Sequence, residues 1–347
     1  TGGEDSVRGA KILLSTKTAN RVIADVYAVR RDYFEANKSK VQSFVNVLMQ
    51  SEERTRDLFA SESTRSADFR KMLEGAAELL LDSKGAVEDT KAMYADAEFV
   101  GFGGNVKFFT DAAYPRGFAK LSVEIPQSFR SLGLVTAGRS LAHANWSYAN
   151  LAVGVEATSA VEAPRFDQSA VDRLVARRQS QDNASDGELF RFEIYFAPNQ
   201  NTFPADQYKA AFDQVINLAS TYGGALLTIE GHSDPLAYLR KKKAGVPIIE
   251  LSRIKQASKN LSYTRANAVR ESLISYAGAK GVTLDQSQFG VSGLGVTKPN
   301  TAGCSYDAAG DISLTCAPSS KQEWDAPRRV IFRVVQVEAE TDVFMPL

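Results

Sequence analysis

The chain has 347 residues, 44% hydrophobic and 24% charged, an ordinary globular composition and a length that suits two domains on a prior of roughly 150 residues each. Lys+Arg and Asp+Glu are both 41, so charge gives no reason to expect a nucleic-acid partner. No apolar run approaches the roughly 20 residues that span a bilayer, and the opening TGGEDSVRGAKILL has neither a basic stretch nor a long apolar one. No signal peptide is therefore expected in it, and the chain reads as cytosolic or as a mature or trimmed form.

In chain order, residues 1–155 read as mixed α/β. KILLSTK has the look of a short buried strand, and SKVQSFVNVLMQSEE places Val41, Phe44, Val45 and Leu48 at i, i+3, i+4 and i+7, the spacing of an amphipathic helix. STRSADFRKMLEGAAELLLDS and AKLSVEIPQSFRSLGL continue as helices. EFVGFGGNVKFF reads as a Gly-rich break, and its GFGGN lacks the GxGxxG spacing of a dinucleotide fingerprint. Residues 156–187 are polar and punctuated by Pro, Ser and Asp, which reads as a linker with one short helix around Val171–Arg178.

From 188 to 347 the pattern sharpens. LFRFEIYF alternates, with Phe190, Phe192, Ile194 and Phe196 on one face and Arg191, Glu193 and Tyr195 on the other, as in a half-buried strand. PADQYKAAFDQVINLAST carries Tyr208, Phe212, Val215 and Ala219 on one helical stripe. ALLTIEG is a second strand. LSYTRANAVRESLISYAG is a helix with Ser262 as N-cap and Ala266, Val269, Leu273 and Tyr276 facing the core. SQFGVSGLG and RRVIFRVVQVE supply two more strands. The order β-α-β-α-β-β predicts an α+β sandwich, two helices on one face of a small mixed sheet. The two cysteines, Cys304 and Cys316, share one Gly/Ser/Asp-rich loop, which is better explained by a disulfide in an oxidising compartment than by two unrelated thiols.

Four of these segments, in this order, resemble the C-terminal domain of outer membrane protein A and its relatives over about residues 189–338. IYFAPNQNTFPADQY resembles the opening strand and Asn-containing turn, IEGHSDP the strand ending in G-H-T-D, LSYTRANAV the L-S-x-x-R-A-x-x-V helix start, and APRRVIFRV the closing R-R-V strand. Some members also carry a disulfide in the loop before the last strand. The resemblance implies non-covalent binding of peptidoglycan at the free end of diaminopimelate in a periplasmic, cell-envelope setting, with no enzymatic activity and no cofactor. Asp234 would meet the ammonium and Arg265 the carboxylate, a guanidinium offering a two-pronged fork. The first turn of the Arg265 helix would add exposed N–H groups. Asn199, Ser233 and one of Arg328 or Arg329 would form the rim.

This chain departs from the family in the long insertion PLAYLRKKKAGVPIIELSRIKQASKN between Asp234 and LSYTRANAV, with Lys241–Lys243 and an apolar VPIIEL, a candidate lid or a second binding element. Ser258 also stands where the family has an Asn before the L-S pair, with Asn260 close by. Taken alone, Asp234 before Pro235 reads as an Asx-type turn and Arg265 as a solvated helix residue; together, in these contexts, they read as a ligand site. His232 and Asp234 suggest an acid/base dyad, but no nucleophile motif accompanies them, and the other histidine is the remote His143. No His/Cys/Asp/Glu group has metal-ligand spacing.

STKTANRVIADVYAVRRDYFEANKSKVQSFVNVLMQSEE and FVGFGGNVKFFTDAAYPRGFAKLSVEIPQSFRSLGLV resemble the second part of periplasmic substrate-binding proteins of the nitrate, sulfonate and taurine kind. That resemblance implies a small solute held between two lobes, the first of them incomplete here, with GFGGN and Trp146 read as a turn and a core anchor rather than cleft-lining groups. The expectation is thus an envelope protein in which a solute-binding-like module is anchored to the cell wall. Its rivals are a structural or assembly component that uses the fold for protein contacts, and a solute receptor of an uptake system.

Overall fold

The computed structural model describes residues 25–95, 97, 99–136, 141–156, 166–181, 185, 187–308 and 310–336. They fall into two compact units that divide near Pro164. The described part of the first unit carries helices α1 (Arg31–Ala36), α2 (Lys38–Ala60), α3 (Ser66–Leu81), α4 (Val87–Ala95), α5 (Gly101–Thr110), α6 (Phe118–Ser131) and α7 (Tyr148–Leu151). Among the described residues of this unit there is no strand, and the expected strand KILLSTK lies outside them.

Within this unit the buried stripe of α2 runs through Met49 and Glu53, while Phe44, read from the sequence as a core residue, is 57% exposed. The stripe is displaced because α2 meets α5 through its two glutamates. Gly101 N–H donates to Glu52 Oε1 at 2.7 Å and Phe102 N–H to Glu53 Oε1 at 2.6 Å. The carboxylates thereby satisfy the first free amides of α5 and complement its positive end. GFGGN is therefore the opening turn of a helix rather than a break. Gly101 suits that place because its φ of 66° is left-handed backbone, which glycine adopts without strain. Trp146 is half-buried and packs edge-on against Phe34, with ring centroids 5.5 Å apart.

The second unit contains α8 (Gln168–Ser180), β1 (Glu188–Tyr195), α9 (Lys209–Thr221), β2 (Ala225–His232), α10 (Leu236–Lys243), α11 (Ile248–Ala279), β3 (Phe289–Gly295), α12 (Lys321–Asp325) and β4 (Arg329–Gln336). The four strands form one mixed sheet in the order β1-β4-β2-β3, with β4 antiparallel to β1 and β2 and β3 parallel to β2. As the alternation in LFRFEIYF requires, Ile194 lies in the core with Leu227, Ile229, Val330, Phe332 and Val334 from the neighbouring strands. Helices α9 and α11 cover this face with Phe212, Val215, Ala219, Ala266, Val269 and Leu273. Each large apolar side chain among these, fully buried, stabilises by about 1.5–3 kcal/mol.

The sheet is covered on its other face too. The segment read as a linker contains α8, capped by the Asp167 carboxylate accepting from Ala170 N–H, and its Val171, Leu174 and Val175 pack with Phe166 on Leu226 of β2. Gln179, near the end of α8, donates to Glu230 Oε1 at 2.9 Å and Ser292 Oγ at 2.8 Å. All eight residues of β2 are consequently buried.

Helix α11 begins at Ile248, well before LSYTRANAV, so Ser262 is not an N-cap. Its hydroxyl sits mid-helix, donating to Lys259 O at 2.8 Å and accepting from Gly295 N–H at 2.9 Å, which ties α11 to the end of β3. The close approach of α11 to β2 demands Gly231: a Cβ there would lie 1.9 Å from Ser262 O.

The insertion has a core of its own. Tyr238 and Leu239 of α10 and Leu251 and Ile254 of α11 pack with Val296, Ile312, Cys304 and Cys316. The two cysteines are disulfide-bonded with Cα atoms 4.2 Å apart. Asp311 of the disulfide loop is the polar hub: it accepts the Tyr238 hydroxyl and pairs with Lys242 at 3.2 Å and Lys255 at 2.8 Å. Burial raises the Asp311 carboxyl, but hydrogen bonds from Lys255, Tyr238 and Lys242 outweigh it and bring it down to about 2. The insertion thus packs Tyr238, Leu239, Leu251 and Ile254 against the disulfide loop and ties Lys242 and Lys255 to it.

Candidate functional site

The C-terminal ends of β1 and β2 and the start of β4 lie at one end of the sheet, because β4 runs antiparallel to both neighbours. Asp234 follows β2 there. Its Oδ1 accepts Leu236 N–H at 2.8 Å, so the Asx-type turn expected of an Asp before Pro is formed and starts α10. Its Oδ2 accepts from Arg328 Nη1 at 3.4 Å, a long contact that leaves this oxygen with capacity for another donor.

Arg328 is itself buried and firmly held. Nη1 donates to Trp324 O at 2.7 Å, Nη2 to Asp325 and Nε to Phe196 O at 3.3 Å, and the guanidinium lies over the Trp324 ring at 5.1 Å. Neither Trp324 nor Asp325 is among the residues expected from the sequence, and their signal there is the four- and three-residue spacing to Arg328 within WDAPRR.

Arg265 stands in the middle of α11 and is 1% exposed. Mid-helix, it brings no free backbone N–H groups or helix end with it, so the anion-binding contribution expected from a first turn does not arise. It is also not a solvated helix residue. Nε donates to Gln200 O at 2.8 Å and Nη2 to Ala197 O at 3.3 Å, and the guanidinium lies 5.2 Å over the Phe196 ring. These bonds hold the turn that contains Asn199, which is exposed and adopts left-handed backbone with φ 56°. The remaining nitrogen, Nη1, is buried without a hydrogen-bond partner among the described residues. Burial pushes the guanidinium down to about 10, Arg328 adds to this and Asp234 opposes it.

Two rim candidates lie elsewhere. Ser233 is buried, its hydroxyl donating to Ser258 O at 3.0 Å and its N–H to Gly295 O at 2.8 Å, so it ties β2 to α11 and β3. Arg329 alternates with Val330 and so belongs to the opposite face of the sheet, where Nη1 donates to Ala326 O at 3.1 Å and Nε lies 3.9 Å from Glu193. His232 is on that same opposite face, apart from Asp234. Burial, then Arg329 and Arg333, hold its imidazole down to about 3, so it is neutral at pH 7 and forms no dyad with Asp234. Asp234, Arg265, Arg328 and the Asn199 turn are thus the residues brought together. Among the described residues no group of His, Cys, Asp and Glu has the arrangement of a metal site.

No family model matches the chain, and no curated protein matches it. Among solved structures it is similar to the peptidoglycan-associated lipoprotein from Burkholderia pseudomallei, at 21% identity and a TM-score of 0.26 over 41% of this chain and 87% of that chain. It is also similar to the periplasmic domain of Helicobacter pylori MotB, at 14% identity and a TM-score of 0.27 over 42% and 75% of the two chains. A MotB-like protein from Desulfovibrio vulgaris is similar at 14% identity, with a TM-score of 0.27 and coverage of 49% and 94%.

Proposed function

We propose that residues 188–347 bind peptidoglycan non-covalently, gripping the free end of a diaminopimelate stem peptide between Asp234 and Arg265. A zwitterion with an ammonium beside a carboxylate needs an anion and a cation held at fixed separation. Asp234 Oδ2, engaged among the described residues by the long contact to Arg328 alone, takes the ammonium. Arg265 Nη1 takes the carboxylate. The observation that carries the reading is this buried, unpartnered guanidinium nitrogen in electrostatic contact with Asp234, because an unsatisfied charged donor is costly and a carboxylate would satisfy it. The four ordered sequence segments support the same reading independently.

On this reading the protein works in the periplasm or cell envelope, where the Cys304–Cys316 disulfide is at home, and it binds rather than catalyses. The first unit would be the anchored cargo, and its sequence resemblance to solute-binding proteins supports that part of the proposal. Sedimentation with purified sacculi tests it. Wild type is expected in the pellet, and Asp234→Ala and Arg265→Ala in the supernatant while still melting cooperatively. Sedimentation unaffected by both substitutions would overturn the assignment.

A further inference from the structure

The turn between α10 and α11 presents a combination that the peptidoglycan reading does not use. Ile248 is 81% exposed and Ile249 64% exposed, next to the exposed Pro247. Ile248 precedes Leu251 by three residues, on the stripe that enters the small disulfide core, yet it stands outside that core. Gly245, at φ 69°, has open space where a Cβ would stand, and residues 243–245 and 247–249 are all exposed.

The charge around this tip is one-sided. Between Pro235 and Lys259 there are seven Lys and Arg residues and a single acid, Glu250, in a chain whose totals balance at 41 each. Lys242 is consumed by Asp307 at 2.9 Å and Asp311 at 3.2 Å, Lys255 by Asp311, and Lys241 pairs with Glu250 at 3.0 Å. Arg240, Lys243 and Arg253 are exposed and make no ion pair among the described residues. The disulfide, Asp311 and the small core hold the two helices on either side of the turn, while Ile248, Ile249, Arg240, Lys243 and Arg253 stay exposed.

We propose that the α10–α11 turn docks on an anionic phospholipid bilayer. Ile248 and Ile249 enter the boundary between headgroups and acyl chains, and Arg240, Lys243 and Arg253 lie along the lipid phosphates. Two adjacent exposed isoleucines on a short turn suit insertion between lipids, whereas an ordinary protein interface takes about 800 Å² of matched surface from each partner. The cations supply the charge complementarity, and their aliphatic stems extend the apolar tip. The contact is peripheral, since no helix among the described residues is long and apolar enough to cross a membrane. It is independent of the Asp234–Arg265 site.

The test is co-sedimentation of the full chain with vesicles of phosphatidylcholine alone or with phosphatidylglycerol added as a third of the lipid. Wild type is expected to bind only the anionic vesicles and to be released by high salt. Replacing each isoleucine with serine should weaken partitioning about tenfold, and Arg240→Glu with Lys243→Glu should abolish it, with melting curves unchanged. In an Ile248→Trp variant, fluorescence should shift to the blue on adding anionic vesicles. Failure of wild type to bind, or binding indifferent to these substitutions, would overturn the proposal. So would concentration-dependent self-association that the same substitutions remove without any vesicle binding, which would assign the tip to a protein contact. Sacculus sedimentation of the tip variants should match wild type, which separates this outcome from failure of the peptidoglycan reading.

Discussion

Arg328 Nη1 reaches Asp234 Oδ2 at 3.4 Å while the other carboxylate oxygen is engaged by Leu236 N–H at 2.8 Å. One side chain therefore starts a helix with Oδ1 and offers charge with Oδ2, and the two roles separate by substitution. Asp234→Asn keeps an oxygen for the Leu236 amide, gives up the charge at the long Arg328 contact, and should cost less than Asp234→Ala. Asp234→Ala loses the turn bond and should cost about 1 kcal/mol in urea denaturation.

Arg265 holds the Asn199 turn through two carbonyls. Lysine has one ammonium where arginine has a planar fork, so Arg265→Lys cannot make both bonds from the same position. A loss of roughly 2 kcal/mol is expected, with faster proteolytic nicking at the exposed residues 197–200. A variant as stable and as resistant as wild type would show that the guanidinium does not organise the turn.

His232 gives the fold an acid sensitivity of a defined sign. Its pKa is 6.5 ordinarily and about 3 when folded. Below pH 6.5 the unfolded chain takes up a proton that the folded one refuses, so stability falls with pH through the window from 6.5 to about 3. The slope contributed is at most about 1.4 kcal/mol per pH unit. Denaturation midpoints of His232→Gln between about pH 6.5 and 5, above the carboxylate range, should lack this slope. Parallel curves for the two proteins would remove the buried imidazole from the account.

Gly231 sets the distance between β2 and α11, and hence between Asp234 and Arg265. Gly231→Ala places a methyl group against the Ser262 carbonyl and should cost about 1–3 kcal/mol by overpacking. Backbone at this point must give, so ligand affinity should fall along with stability. Isothermal titration beside thermal melting reads both.

Much of the second unit is legible in the sequence because its strands alternate cleanly: Phe190, Phe192 and Ile194 can face only one layer. Helix α8 is hard to see as a layer of the fold because its neighbourhood is polar, although ALLTIEG already holds the signal, an apolar run with little alternation that implies cover on both faces. The start of α11 is hidden because Ser262 precedes a good helical stripe and so imitates a cap, whereas its hydroxyl is occupied by Gly295. Asp234 and Arg265 are proposed from their segments, and the structure sets them at the same end of the sheet as Arg328 and the Asn199 turn. What no sequence pattern carries is depth: the burial of Arg265, of Ser233 and of Arg329 depends on which layer covers them.

The central claim is the grip of Asp234 and Arg265 on a zwitterion, and titration of a stem peptide ending in diaminopimelate into the full chain tests it most directly. Saturable binding to wild type is predicted, weakened at least about tenfold in Asp234→Asn, which loses a desolvated charge pair while keeping its fold. No binding to wild type, or equal binding to the two proteins, would contradict the account.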